Sequence, residues 1–142
     1  MREAIVGLLS DLVRIDSVNP TLVDGGAGEG AIAAFVAGWA SDHRLEVEWF
    51  EETAGRPSVV VRSRGAGGGQ TLLLCGHTDT VSLDGVVEPL APRIDGDRFY
   101  GRGAYDMKAG LAAALVTCAE ARRLGLSGDV VVAAVADEEH AS

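Results

Sequence analysis

The chain is poor in basic residues, in cysteine and in long apolar runs, and each shortage removes a class of function. Its 142 residues hold 12 Lys and Arg against 21 Asp and Glu, a formal net charge of −9. A surface of that sign repels polyphosphates and anionic headgroups, which argues against nucleic acid or a membrane as partner. The two cysteines, Cys75 and Cys118, do not make a disulfide framework or a zinc ribbon. One falls in an apparent core strand and the other on a helix. Both are therefore expected as buried reduced thiols, at home in a reducing cytoplasm. No apolar stretch is long enough to span a bilayer. The first eleven residues include Glu3 and Asp11, where a secretory leader would need an unbroken apolar run.

What is present suits a globular domain. Apolar residues make up 47% and charged residues 23%, and the length allows one compact core. Ile5, Leu8, Leu9, Leu12 and Val13 recur at helical spacing and predict an amphipathic helix ending near Ile15. Asp16 to Pro20 breaks it, and the glycines at 25, 26 and 28 continue as loop. Ile32, Phe35, Val36 and Trp39 predict a second helix from about Glu29 to Asp42. His43 stands at its end, where it meets the helix dipole and no ligand role is expected. Leu45–Trp49 alternates as a half-exposed strand does, and Ser58–Arg62 reads as a second strand antiparallel to it. The glycine run at 65–69 precedes its strand, whereas a dinucleotide-binding loop follows one, so that reading is excluded.

Leu72–Cys75 is apolar on both faces, which predicts a central strand covered by helices on each side. Ser82–Asp97, with Pro89 and Pro92, reads as a long loop beyond the strand's carboxyl end, a usual place for function. Met107, Leu111, Ala114, Leu115 and Cys118 mark one face of a helix that starts near Asp106 and closes at Gly125. Val130–Val135 is a further apolar strand that runs into Asp137, Glu138 and Glu139. The order helix, helix, strand, strand, strand, helix, strand implies an α/β sandwich. Open sheets of that kind place their sites outside the carboxyl ends of the strands.

Two strands end there in polar residues. The first delivers His77 and, two residues on, Asp79. Extended backbone sets the two on one side, so a neutral imidazole can serve as a metal ligand with a carboxylate fixing its orientation. Asp106 follows the Gly101-Arg-Gly103 turn; taken alone it also reads as a carboxylate at a helix N-terminus. Asp137-Glu138-Glu139 alone also reads as a solvated acidic turn. Lys108 is most simply a charge on the first helical turn, Arg102 a residue that shapes its turn, and His140 a bystander.

Three ordered segments, Gly76–Val81, Gly101–Gly110 and Asp137–Glu139, together resemble the co-catalytic metallopeptidases that include acetylornithine deacetylase, succinyl-diaminopimelate desuccinylase, aminoacylase-1 and the glutamate carboxypeptidases. Ser17-Val-Asn-Pro20 is similar to that family's N-terminal pattern. The resemblance covers essentially the whole chain. It implies a three-layer α/β/α sandwich of the zinc-dependent exopeptidase type, incomplete at its C-terminal side. It also implies two divalent metal ions, zinc first and cobalt as the alternative. His77 is then a ligand of one metal, Asp79 its orienting carboxylate, Asp106 the bridge, Glu138 the general base and Glu139 a ligand of the other metal. A bridging carboxylate offsets the repulsion of two cations only ~3.5–4 Å apart, and the cations polarise the scissile carbonyl. A cis peptide after Asp106 is a further implication.

The implied activity is hydrolysis of an amide bond in an N-acyl amino acid or small peptide, with a di- or tripeptidase as the alternative. Members are much longer. The 142 residues correspond to the N-terminal portion of the catalytic domain, without the lid or dimerisation domain and the C-terminal catalytic half. On that reading the full-length protein can be a homodimer and this chain alone is inactive. A non-catalytic truncated fragment is the reading from another class.

Overall fold

A computed structural model describes residues 1–141. Helix α1 spans Arg2–Arg14 and buries Leu8, Leu9, Leu12 and Val13, the stripe that its apolar spacing predicts. Arg14 lies in its last turn, favourable to the dipole, and Ile15 leaves in an extended conformation. Helix α2, Gly30–Asp42, buries Ile32, Ala33, Val36 and Ala40. At its end the His43 ring stacks on Trp39 at 3.9 Å, and its Nδ1 faces the Trp39 carbonyl at 2.8 Å.

Strands β1 (Glu46–Phe50), β2 (Ser58–Ser63) and β3 (Leu72–His77) follow. A short hairpin of β4 (Arg93–Asp95) and β5 (Arg98–Tyr100) comes next. Helix α3 (Ala109–Leu124), strand β6 (Val130–Val135) and the single-turn helix α4 (Glu138–Ala141) complete the chain. The hairpin interrupts what the sequence reading treats as one loop. Its signal is Asp95-Gly-Asp97, a tight two-residue turn in which Gly96 takes the positive φ of 61°.

Four strands form one mixed sheet in the order β1-β2-β6-β3. β1 and β2 are antiparallel, as their alternation and the short link between them predict, and β6 runs antiparallel to β2. β3 and β6 are parallel, joined through α3, with His77 opposite Val135. Val59, Val61 and Ser63 of β2 and Val130, Val132 and Ala134 of β6 are buried, and the valines and Ala134 share one core with α1, α2 and α3. The architecture is thus α/β, with the helices on one face of the sheet.

Two expectations about β3 change. It is an edge strand rather than a central one, since it pairs with β6 alone among the described residues. Its other face is not covered: Leu73 is 61% exposed and Cys75 is exposed rather than buried. Alternation explains both, because Leu74 turns to the helices and its neighbours turn away. Of three expected layers, the sheet and one helical layer are present among these residues. Cys118 is fully buried on α3, as expected, with its thiol 3.4 Å from the Val130 carbonyl.

Candidate metal centre

Parallel neighbours leave a sheet at the same edge, so β3 and β6 deliver His77 and the 137–139 segment side by side. The pairing continues one step past the sheet: Thr78 donates its N–H to the Val135 carbonyl at 2.8 Å and its hydroxyl to the same oxygen at 3.1 Å. Asp106 comes from the turn that opens α3. His77 Nε2 lies 3.1 Å from Asp106 Oδ1 and 3.6 Å from Glu138 Oε2. One donor atom from each of His77, Asp106 and Glu139 lies within 4.8 Å of the other two. Donors around a common ion at ~2 Å bonds stand a few ångström apart, so this triad fits a divalent cation. The chemistry fits as well, for three carboxylates gathered at one imidazole repel each other until a cation joins them.

His77 is held from behind by Asp79. Its Nδ1 faces the Asp79 backbone carbonyl at 3.0 Å and the Asp79 Oδ1 at 3.4 Å. Both partners are acceptors, so Nδ1 carries the proton and Nε2 points at Asp106 and Glu138. The Asp79 side chain, and after it Asp106, favour a second proton on the ring. They hold the imidazolium to about pH 9 against the cost of burial. Asp79 is held down to about 2, the hydrogen bonds from His77, Glu139, Asn19 and Glu138 outweighing its desolvation. Glu139 is pushed up by burial and by Asp106, Asp79 and Glu138, with the His77 charge acting the other way.

The turn that carries Asp106 is packed too tightly for ordinary residues. At Gly103, with φ 70°, a Cβ would come within 2.6 Å of the Thr80 methyl. At Gly76, just before His77, a Cβ would meet the Met107 methyl at 3.0 Å. Residues 104–108 form one wide turn in which Asp106 and Met107 depart from helical dihedrals, and the Asp106–Met107 peptide is cis. Asp106 is therefore no ordinary helix N-terminal carboxylate; its side chain stands 73% exposed beside His77. Lys108 is not a surface charge either. It is 1% exposed and donates its Nζ to the carbonyls of Leu12 and Ile15, at 3.0 and 2.9 Å. It thereby closes the end of α1 from another element, and burial lowers its pKa to about 8. Arg102 shapes its turn as expected. Its N–H donates to the Pro89 carbonyl at 2.7 Å and its Nη2 to the Asp84 carbonyl at 3.3 Å, which ties the turn to the 82–97 connection. A cleft of about 240 Å³, lined by Thr80, Val81, Arg102, Tyr105, Asp106 and Glu139, opens beside the triad.

Three further residues meet the site that the sequence reading assigns no role. Asn19 donates Nδ2 to Asp79 Oδ2 at 2.7 Å and to Asp137 Oδ1 at 3.0 Å. Glu29 and Arg56 pair and also reach Asp137. Asn19 had a signal in the Ser17–Pro20 pattern; Glu29 and Arg56 had none, being 27 positions apart in different loops.

Residues 73–142 match the model of peptidase family M20/M25/M40. A succinyl-diaminopimelate desuccinylase of Gluconobacter oxydans is 35% identical over 140 residues, covering 94% of this chain and 34% of its own length. An acetylornithine deacetylase of Aliivibrio fischeri is 33% identical over 131 residues, with 90% and 34% covered. Among solved structures, an M20 family metallo-carboxypeptidase of Sulfolobus solfataricus superposes with a TM-score of 0.80 at 24% identity, over 95% of this chain and 31% of its own. The chain thus spans about a third of the length of the curated relatives it matches.

Proposed function

Because the chain belongs to peptidase family M20/M25/M40, we propose that it carries part of the dinuclear metal centre of an amide-bond hydrolase acting on N-acyl amino acids or small peptides. The observation that carries the proposal is the meeting of His77, Asp106 and Glu139 at the shared edge of β3 and β6. In this reading His77 would hold one ion, Glu139 the other, and Asp106 would serve both. Zinc suits one imidazole with carboxylates, and cobalt can replace it. When bound, the ions supply Lewis acidity to the scissile carbonyl and to the attacking water.

The protein's own groups do the rest. Asp79 keeps the proton on Nδ1, so that the Nε2 lone pair is free to ligate once the second proton leaves. Glu138 Oε2 lies 3.6 Å from His77 Nε2, next to the three donors that meet there. It takes the proton from water and passes it to the leaving nitrogen, the work of a general acid–base group. The cleft beside Asp106 and Glu139 leaves room for the scissile group next to these donors. Three donors fall short of the roughly four that each zinc takes. The remaining ligands, a lid and any homodimer contact are accordingly proposed to lie in polypeptide outside these 142 residues, and this chain alone to turn over little substrate. No helix among the described residues is long and apolar enough to cross a membrane, and two free thiols suit a reducing cytoplasm.

The test separates Glu138 from Glu139 in the protein carrying the complete catalytic domain, with N-acetylornithine, N-succinyl-diaminopimelate and dipeptides as substrates. Glu138→Gln should keep its metal and lose turnover ~10²–10⁴-fold. Glu139→Gln should lose affinity for one ion and recover in part with added zinc or cobalt. The opposite pattern reverses the two roles, and full activity in both variants ends the proposal.

A further inference from the structure

The segment that brings Glu138 and Glu139 to the site begins at an unfavourable residue. Asp137 has a φ of 63° although it is not glycine. Aspartate enters the left-handed region more readily than most residues, and its surroundings decide whether it stays there. Here they hold it. The Asp137 N–H donates to Glu29 Oε1 at 3.2 Å. Its Oδ1 accepts Arg56 Nη2 at 2.8 Å and Asn19 Nδ2 at 3.0 Å. The next two amides then turn to Asp79, Glu138 N–H donating to Oδ1 at 3.1 Å and Glu139 N–H to Oδ2 at 3.0 Å.

Glu29 and Arg56 make an unusual anchor. The Glu29 side chain is fully buried just before α2, and the Arg56 side chain is 10% exposed in the link before β2. Arg56 forks onto Glu29 through Nε and Nη2, the latter at 2.6 Å, and gives Nη1 to the Thr21 hydroxyl at 3.0 Å. With Asp137 also served, four of its five N–H donors bond inside the protein. A bidentate pair is rigid in a way that a lysine contact is not. It is also placed where rigidity matters. Asp137, Glu138, Glu139 and Asp79 are like charges on a short path, and Arg56 is the guanidinium that bonds the first of them.

We propose that Arg56, clamped by Glu29, is a positioning residue of the metal centre: it fixes Asp137 so that Glu138 and Glu139 reach the site, and it holds no metal itself. The inference rests on the reading of that centre as metal-binding, but the placement can be measured without metal. Hydrogen exchange followed by NMR on the chain reads the Glu138 and Glu139 amides directly. Arg56→Gln should speed their exchange at least about tenfold relative to core amides of β2 and β6, because a local opening is released while the sheet persists. Arg56→Lys, which keeps the charge and loses the fork, should fall between. If Arg56→Gln does not fold because Glu29 is left buried without a partner, the paired Glu29→Gln/Arg56→Gln removes both charges together and should give the same local change. A purely structural tether would move all amides in step. That result, or no protection of the two amides in the unsubstituted chain, overturns the inference. Cobalt titration of the protein carrying the complete catalytic domain stands apart: absence of a site there refutes the metal reading and leaves the amide result to decide the clamp.

Discussion

Replacing Asp79 by asparagine changes one atom and should disturb the site more than any surface change. The Asp79 side chain is fully buried and meets four donors: Asn19 Nδ2, the Glu138 and Glu139 amides, and the His77 ring. A carboxylate accepts from all of them, whereas a carboxamide must aim its NH2 at one of these donors or their neighbours. A hydrogen bond to a charged group contributes roughly 1.5–3 kcal/mol, and a buried donor left unpaired costs about 1–3 kcal/mol. Losing the charge at both oxygens and orphaning one amide should therefore destabilise the chain by about 3–5 kcal/mol, the cost of breaking a buried charged pair. Domains of this size have only ~5–15 kcal/mol in total. The same change removes the largest support of the His77 imidazolium, so the ring should titrate well below its present value of about 9. Urea denaturation gives the first number and NMR titration of the His77 ring the second. A stability loss under ~0.5 kcal/mol, the scatter of ordinary surface substitutions, with an unmoved His77 titration would refute the reasoning.

Proton and metal compete for His77 Nε2, so metal affinity should rise about tenfold per pH unit and level off near pH 9, which calorimetry at several pH values would check. Without metal the sign reverses. The His77 pKa is raised on folding, so its contribution to stability is full below about 6.5 and is lost as pH climbs through about 9. That of Asp79, depressed to about 2, is lost only as pH falls below its unfolded value near 3.8 toward 2. Denaturant melts across pH should show both limbs. Lys108→Met should lower stability by about 2–4 kcal/mol by leaving the Leu12 and Ile15 carbonyls unpaired, measurable as a shift in the urea midpoint. A thiol reagent should modify exposed Cys75 at once and buried Cys118 only at the rate of unfolding; equal rates would contradict the uncovered face of β3.

How far the sequence carried depended on the range of the interaction. Apolar spacing located α1, α2, α3 and β1, and short apolar runs located β2, β3 and β6, because both signals are local and the core enforces them. The family resemblance, rather than periodicity, singled out Asp106 and Glu139 beside His77, and one donor atom of each meets in the fold. Strand order was another matter. Leu72–Cys75 has the composition of a central strand, yet β3 lies at the edge among the described residues, because pairing partners are chosen by topology and not by one strand's own residues. Lys108 shows the same limit: nothing nearby in sequence tells that its ammonium ends against α1, 96 positions away from Leu12. The Glu29–Arg56–Asp137 network spans three loops, and no local rule connects them.

The proposed divalent cations should sit at His77, Asp106 and Glu139. Crystals grown with zinc or cobalt, measured on either side of the metal's absorption edge, would show the ion by its anomalous scattering. The account predicts a peak about 2.0–2.3 Å from His77 Nε2 and from a carboxylate oxygen of Asp106, with a second on the Glu139 side of Asp106. Strong anomalous peaks elsewhere, with none within bonding distance of His77 at saturating metal, would contradict it.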